Sequence, residues 1–290
     1  IPGVGVSGEV GGVSGSGREG SVDRQRFFIV GCQRSGTTLM RLVLGTHRDV
    51  HCFDEGSAYA ILAGIGPEEV PDGTLRVGYK IPRWTGTLLD AEVADFGHPV
   101  RATGVYHGEA IVCMLRGLLD TVASMVKLRG KSRQTWLHTW GVPTVEHWIH
   151  HDERFAATHA REIALVRAAA HPDMAAAALY WRRKTEAYFH YRDLGLPVIG
   201  VRYEALVSDP EPVLRGVVSH LGLAWDPGVT AHERADHPQL SKAGLATGGT
   251  DPTRAIDDGS VGQWRGLIEP AAVEEMLSIA AGLDERVAAL

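Results

Sequence analysis

The sequence predicts an α/β protein in three layers, with a central, mainly parallel sheet flanked by helices. Two observations carry this. Apolar runs of strand length recur, each followed by a turn and a helical pattern: Phe27-Phe28-Ile29-Val30, Ala110-Ile111-Val112-Cys113-Met114-Leu115 and Val198-Ile199-Gly200-Val201. The runs do not alternate with polar residues, so their strands are expected to be buried on both faces, the habit of parallel strands joined by crossover helices. The chain is also long enough, at 290 residues with 44% hydrophobic, to bury such a sheet.

Residues 1–25 are rich in glycine and serine and lack apolar periodicity, so they are expected to form a flexible leader outside a single domain spanning 26–290. The first strand run ends at Gly31, and the turn Cys32-Gln33-Arg34-Ser35-Gly36 leads to Thr37-Thr38 and a helix to about Thr46. Strand, glycine-containing turn and helix start together make a phosphate cradle, because the N–H groups of a first helical turn are free and the helix dipole favours an anion. From Gly31 to Gly36 the spacing is that of a Walker A loop, which makes the predicted fold P-loop-like, but Thr37 stands where the lysine would be. The positive charge sits inside the loop instead, at Arg34. A nucleotide triphosphatase needs that lysine near the β- and γ-phosphates.

Val50 to Phe53 is a second strand, ending at Asp54-Glu55-Gly56, where open α/β sheets gather their ligands. Asp54 suits a helix N-cap, and a cap needs one carboxylate, which leaves Glu55 for chemistry. Val77-Gly78-Tyr79-Lys80-Ile81 is a further strand, ended by Pro82. Lys80 lies in an apolar stretch, so it either meets an anionic partner inside or faces water from an edge strand. The strand at 109–115 runs into a second turn and helix, with Arg116 at the strand end and Ser124 eight residues on, able to reach one phosphate together. The plainer alternative is an exposed pair between Arg116 and Asp120.

The stretch 127–171 is polar, with Trp136, Trp140 and Trp148 that could be core or line an acceptor cleft. Its histidines, including His147, His150 and His151, have no metal-ligand spacing, so no metal site is expected. A long amphipathic helix follows at 173–194, closed by Gly195. Then come a strand at 197–201 leading to Tyr203, and a helix at 210–221 with Pro210 in its first turn. Residues 232–259 read as a long binding loop carrying Thr250, Asp251 and Arg254, and 270–290 as a terminal helical region.

The net charge of −6 disfavours nonspecific nucleic-acid or anionic-membrane binding, so neither partner is expected. Cys32, Cys52 and Cys113 are odd in number, a pattern that suits a reducing, cytoplasmic setting. No apolar run approaches the ~20 residues of a membrane span.

Taken together, these motifs resemble the sulfotransferases that use 3′-phosphoadenosine 5′-phosphosulfate (PAPS), and most closely the tyrosylprotein sulfotransferases and their bacterial relatives. Gln33-Arg34-Ser35-Gly36-Thr37-Thr38-Leu39 is similar to that group's 5′-phosphosulfate loop, and the segment ending at Asp54-Glu55 to the one whose second acidic residue is the catalytic base. Tyr79-Lys80-Ile81-Pro82 resembles the segment with a catalytic lysine, and Arg116 with Ser124 the 3′-phosphate pair. Val201-Arg202-Tyr203-Glu204 looks like a further signature whose tyrosine contacts the nucleotide, and Arg254 stands near the late nucleotide-covering loop's lysine. One departure is Leu128, where a basic residue is expected one turn after Ser124. The resemblance implies a PAPS-dependent enzyme acting on a phenol, alcohol, sugar or protein tyrosine. Glu55, Arg34 and Lys80 would be catalytic. Arg34, Ser35, Gly36, Thr37, Thr38, Arg116, Ser124, Tyr203 and Arg254 would bind the donor. A homodimer is compatible with this reading. The alternatives are a P-loop kinase or nucleotide hydrolase with a degenerate loop, and a nucleotide-binding scaffold.

Overall fold

Phe27, Phe28, Ile29 and Val30 have no solvent exposure at all, and they form the middle of β1 (Gln25–Gly31), the central strand of the sheet. The structure is a computed structural model that describes residues 24–130, 133–235, 237 and 250–290. The expected leader, up to residue 23, and residues 236 and 238–249 of the expected late loop lie outside the described residues.

The chain passes from β1 through α1 (Thr37–Leu44), β2 (Val50–Phe53) and α2 (Glu55–Leu62) to β3 (Arg76–Lys80). A small antiparallel pair follows, β4 (Glu92–Asp95) with β5 (His98–Thr103). Then come β6 (Ala110–Leu115), α3 (Leu118–Lys127), α4 (Val142–His151), α5 (Glu153–Thr158), α6 (Ala160–Ala168) and α7 (Pro172–Asp193). The last elements are β7 (Val198–Arg202), α8 (Tyr203–Ser208), α9 (Pro210–His220), α10 (Pro270–Ala280) and α11 (Leu283–Ala288).

Five strands form one parallel sheet in the order β2-β3-β1-β6-β7. Side chains alternate across β1. Phe28 and Val30 join one core with Tyr79, Ile111, Cys113 and Trp181, while Phe27 and Ile29 join the other with Met40, Val112, Met114 and Leu214. Both faces are therefore covered, and the three-layer α/β arrangement follows. Met40, Val43 and Leu44 of α1 pack on the second face, whereas Leu118, Val122 and Met125 of α3 pack on the first. The helices leaving β1 and β6 thus go to opposite faces, which opens a crevice beyond the carboxyl ends of these two neighbours, the usual ligand position in open sheets.

The strands and helices anticipated at 50–53, 173–194, 197–201 and 210–221 are found within a residue or so of those bounds. Gly195 closes α7 at φ +69°. The polar stretch after Lys127 proves to be helical. Residues 137–141 make a wide π turn, and α4, α5 and α6 pack against α7 through Leu137, Val145, Phe155, Ile163 and Val166. Each helix is short and offers one or two apolar anchors, too few to display a periodic pattern in sequence. Asp152 fastens the corner, accepting from Phe155 N–H at 2.9 Å and from Arg183 at 2.7 Å. The β4–β5 pair carried no alternation strong enough to announce it, with Val93, Val100 and Ala102 as its buried apolar residues. Among the described residues, no helix is long and apolar enough to cross a membrane, and the three cysteines are free and buried.

Gly78 shows how tightly the site-bearing strands meet. A Cβ there would lie 2.4 Å from Phe27 Cζ and 2.7 Å from Cys52 Sγ, on the two strands flanking β3. Gly78→Ala should therefore cost about 1–3 kcal/mol of stability. Urea denaturation measures it, and an unchanged midpoint would mean the sheet relaxes at that point.

Candidate active site

The turn between β1 and α1 is shaped from below. Gly31 has φ +131° and a Cβ there would strike Met114 O at 2.3 Å. Gly36 has φ +97° and a Cβ would meet Tyr203 Cδ2 at 2.5 Å. Both positions thus need glycine for conformation and for close approach. Thr85 Oγ1 accepts from Gly31 N–H at 2.9 Å and donates to Gly31 O at 3.1 Å. Ser35 was expected to hold a phosphate, but it is 1% exposed and turned inward. Its N–H donates to Cys32 O, and its hydroxyl approaches Cys32 O at 2.6 Å and Met114 O at 3.2 Å. Ser35 therefore builds the loop, and the donors left for an anion are those of Gly36, Thr37, Thr38 and Leu39. Gly36 caps α1 without any side-chain hydrogen bond, and no acidic residue lies in the first turn, so the positive end of the helix stays open.

Arg34 stands at the tip of this loop with φ +76°, and its Nε donates to Ser124 Oγ at 3.1 Å. Burial, then the charge of Arg116, pushes the Arg34 guanidinium down to about 10. A cation held in that way gains from any anion that arrives.

Two clefts meet at the loop. The first, about 210 Å³, is lined by Arg34, Gly36, Thr37, Thr38, Arg116, Ser124, Tyr203 and Arg254 among others. Every expected donor-binding residue except Ser35 lines it. Arg116 is 5% exposed and lies 4.3 Å from the centre of the Tyr203 ring. Its guanidinium donates to Arg34 O at 3.1 Å and Ser260 O at 2.6 Å, while its Nε is buried without a partner among the described residues. The exposed Arg116–Asp120 pair does not form. Asp120 instead accepts from Gly262 N–H at 2.7 Å and Trp264 N–H at 3.3 Å, fastening the late loop over the cleft. Tyr203 and Ser260 complete that clasp through a 2.6 Å hydroxyl contact. Arg254 is bound through Nε and Nη2 to Asp257, so its charge is already balanced at the rim.

The second cleft, about 310 Å³, is lined by Glu55, Lys80 and Arg83 and shares Arg34, Thr37 and Thr38 with the first. Lys80 lies on an inner strand, 4% exposed, and donates to Glu55 Oε2 at 2.9 Å, so it is no edge lysine. Arg83 Nε donates to Glu55 Oε1, also at 2.9 Å. Burial pushes the Glu55 carboxyl up, but Lys80 and then Arg83 outweigh it and hold the carboxyl below its usual range. Asp54 caps α2, accepting from Ser57 N–H at 2.9 Å, which leaves Glu55 to Lys80 and Arg83.

The sequence assigns no role to Arg83, and it offers Asp120 only as a partner for Arg116. For Arg83 a signal existed: Pro82 opens a single tight turn after β3, returning a cation three residues beyond Lys80 to the same carboxylate. The turn is held by buried Lys184, which donates to Arg83 O and to Thr85 O at 2.9 Å. Of the tryptophans, Trp136 and Trp140 line the second cleft, while Trp148 stacks on Tyr180 at 5.2 Å behind it. Among the described residues, no group of three or more His, Cys, Asp or Glu is arranged to hold a metal ion.

Residues 26–95, which hold the loop, Glu55, Lys80 and Arg83, match the model of the Sulfotransferase family. Two solved structures share the fold. One is the sulfotransferase domain from the olefin synthase of Synechococcus PCC 7002, with 16% identity over 91% of this chain and 96% of that one, at a TM-score of 0.50. The other is the sulfotransferase domain from the curacin biosynthetic pathway, with 16% identity over 91% and 98%, also at 0.50. The segment that matches the family model thus carries the loop and the Glu55 cluster, on a fold shared with these two sulfotransferase domains.

The Glu55 cluster makes a pH-dependent contribution to stability. A carboxylate with a depressed folded pKa stabilises fully above its unfolded value of ~4.3, and this is lost as pH falls through the folded value. Arg83→Met should destabilise the protein at pH 7 by about 1.5–3 kcal/mol. The gap from wild type should narrow as Glu55 is protonated below its folded value. Urea unfolding between pH 7 and 3 tests this, and a constant gap would mean that Arg83 acts by packing on Trp140.

Proposed function

We propose that the protein transfers the sulfuryl group of PAPS to an acceptor hydroxyl by in-line displacement, with Glu55 as general base and residues 26–290 as one transferase domain. The carrying observation is the junction of the two clefts at the loop, where Arg34, Thr37 and Thr38 line both. A donor in the first cleft and an acceptor in the second would meet there. The donor site suits a nucleotide with phosphates at both ends. The open start of α1 suits the 5′-phosphate, and Arg116 with Ser124 the 3′-phosphate. The Nε of Arg116, buried without a partner among the described residues, supports a guanidinium built to meet an anion.

In this mechanism Thr37, Thr38 and the free N–H groups orient the 5′-phosphate. Arg34 and Lys80 bear on the transferred group and on the oxygen that leaves with the nucleotide, stabilising charge as it develops. Lys80 serves two partners in turn. While it holds Glu55, the carboxylate is a weak base. Once its ammonium turns toward the transferred group, Arg83 alone keeps Glu55 in place and the carboxylate gains basicity for the acceptor proton. Cationic side chains carry the whole charge load.

Calorimetry with 3′-phosphoadenosine 5′-phosphate (PAP) and AMP tests the donor assignment. PAP should bind at least about tenfold more tightly, since a charge-assisted contact contributes ~1.5–3 kcal/mol. Equal affinities would remove the 3′-phosphate site and favour phosphoryl-transfer chemistry.

Glu55→Gln should leave PAP affinity nearly unchanged and lower turnover by roughly 10²–10⁴. Asp54→Asn should keep turnover, because asparagine caps a helix almost as well. Single-turnover kinetics on folded variants decides between them. A dead Asp54→Asn with an active Glu55→Gln would exchange the two roles.

A further inference from the structure

The walls of the acceptor cleft differ in chemistry from its floor. Polar and charged groups lie at the floor and at the loop: Glu55, Lys80, Arg83 and the threonines of α1. The same cleft is lined by Tyr59, Leu128, Trp136, Trp140 and Tyr180, with Gln33 and Thr144 as further polar members. The two tyrosine hydroxyls of this lining are already engaged. The Tyr59 hydroxyl accepts from Arg83 N–H at 2.8 Å, and the Tyr180 hydroxyl donates to Gln33 Oε1 at 2.5 Å. The rings are also set against one another. Trp136 meets Tyr180 edge-on at 5.5 Å, and Tyr180 is backed by Trp148 in a near-parallel stack. The Arg83 guanidinium lies 5.0 Å from the centre of the Trp140 ring, bringing positive charge to the foot of the wall.

We propose that the acceptor is a small, flat aromatic hydroxyl compound of one or two rings, held by its faces between these side chains with its oxygen at Glu55. The proposal rests on the sulfuryl-transfer reading above and narrows it. A sugar presents hydroxyls around its whole rim, and those laid against the ring faces or Leu128 would lose water without gaining a partner there. A flat aromatic body loses nothing there and gains ring contacts. The cleft, about 310 Å³, stands at the small end of ligand pockets, the right scale for such a molecule. The chemistry agrees with the shape. Glu55 is held below the usual carboxylate range by Lys80 and Arg83, which makes it a weak base in the resting site. A phenol, with a pKa of ~10, yields its proton to such a base far more readily than an aliphatic alcohol. In the step itself the phenolic oxygen forms a bond to sulfur, and the bond from sulfur to the bridging 5′-phosphate oxygen breaks. The phenolic proton passes to Glu55. The products are an aryl sulfate and PAP.

The test compares 2-naphthol, its saturated counterpart decahydro-2-naphthol and methyl glucoside as acceptors for the full chain with PAPS, alongside calorimetry with PAP. We expect kcat/KM for 2-naphthol to exceed both others by at least about 100-fold. We also expect Trp136→Leu to raise KM for 2-naphthol about tenfold while PAP affinity stays as in wild type. Should Trp136→Leu fail to fold, the acceptor series on the wild-type protein decides alone. If PAP binds more tightly than AMP but 2-naphthol is not sulfated, or is matched by decahydro-2-naphthol or the glucoside, the aromatic acceptor is wrong and the transferase reading stands. If PAP binds no better than AMP and no acceptor is sulfated, the transferase reading fails and takes this inference with it.

Discussion

The open amino terminus of α1, set between β1 and β6, is the constraint on which the rest of the site depends. Gly36 heads the helix at φ +97° with no side chain to cap it, so several N–H groups point at the crevice. That geometry requires β1 and β6 to approach closely, since any side chain at Gly31 would collide with the backbone of Met114. It also requires α1 and α3 to leave for opposite faces of the sheet, so that neither helix closes the gap. The buried hydroxyls of Ser35 and Thr85 spend their hydrogen bonds on holding this turn in shape. Rigid support below and open donors above are what a preorganised anion site needs.

Around this point the protein gathers several positive charges. Arg34 and Arg116 lie close enough for each to feel the other, and Lys80 and Arg83 share the single carboxylate of Glu55. Like charges held together in a partly desolvated pocket are costly unless an anion completes the set. The late loop belongs to the same arrangement. Asp120 holds it by two backbone N–H groups, while Arg116 and Tyr203 hold Ser260, so residues that line the donor cleft also fasten its cover.

The division of labour at Asp54 and Glu55 shows how adjacent residues of like charge acquire different tasks. Asp54 is consumed by the first turn of α2, and Glu55, one residue on, is turned toward β3 and meets Lys80. Their roles differ through backbone direction at a helix start rather than through intrinsic acidity.

Much of the fold and part of the site were legible in the sequence. The uninterrupted apolar runs in β1 and β6 announced a parallel sheet covered on both faces. Gly31, Arg34, Gly36, Thr37 and Thr38 announced the anion loop, because strand, turn and helix start are encoded within a few neighbouring residues. Glu55 and Lys80 could be named separately, each at a strand end. The tertiary structure alone decided that they touch, since parallel strands bring together residues 25 positions apart only once the register between β2 and β3 is set. It turned Ser35 inward, recruited Arg83 as a second hold on Glu55, and gave Asp120 to a loop 142 residues away rather than to Arg116. Local backbone geometry is written in short-range patterns, so the sequence by itself determined the sheet, the strand–turn–helix loop after β1 and the cap at Asp54. The partners of charged side chains depend on long-range packing and on which groups lose their water together, and that only the folded chain determines.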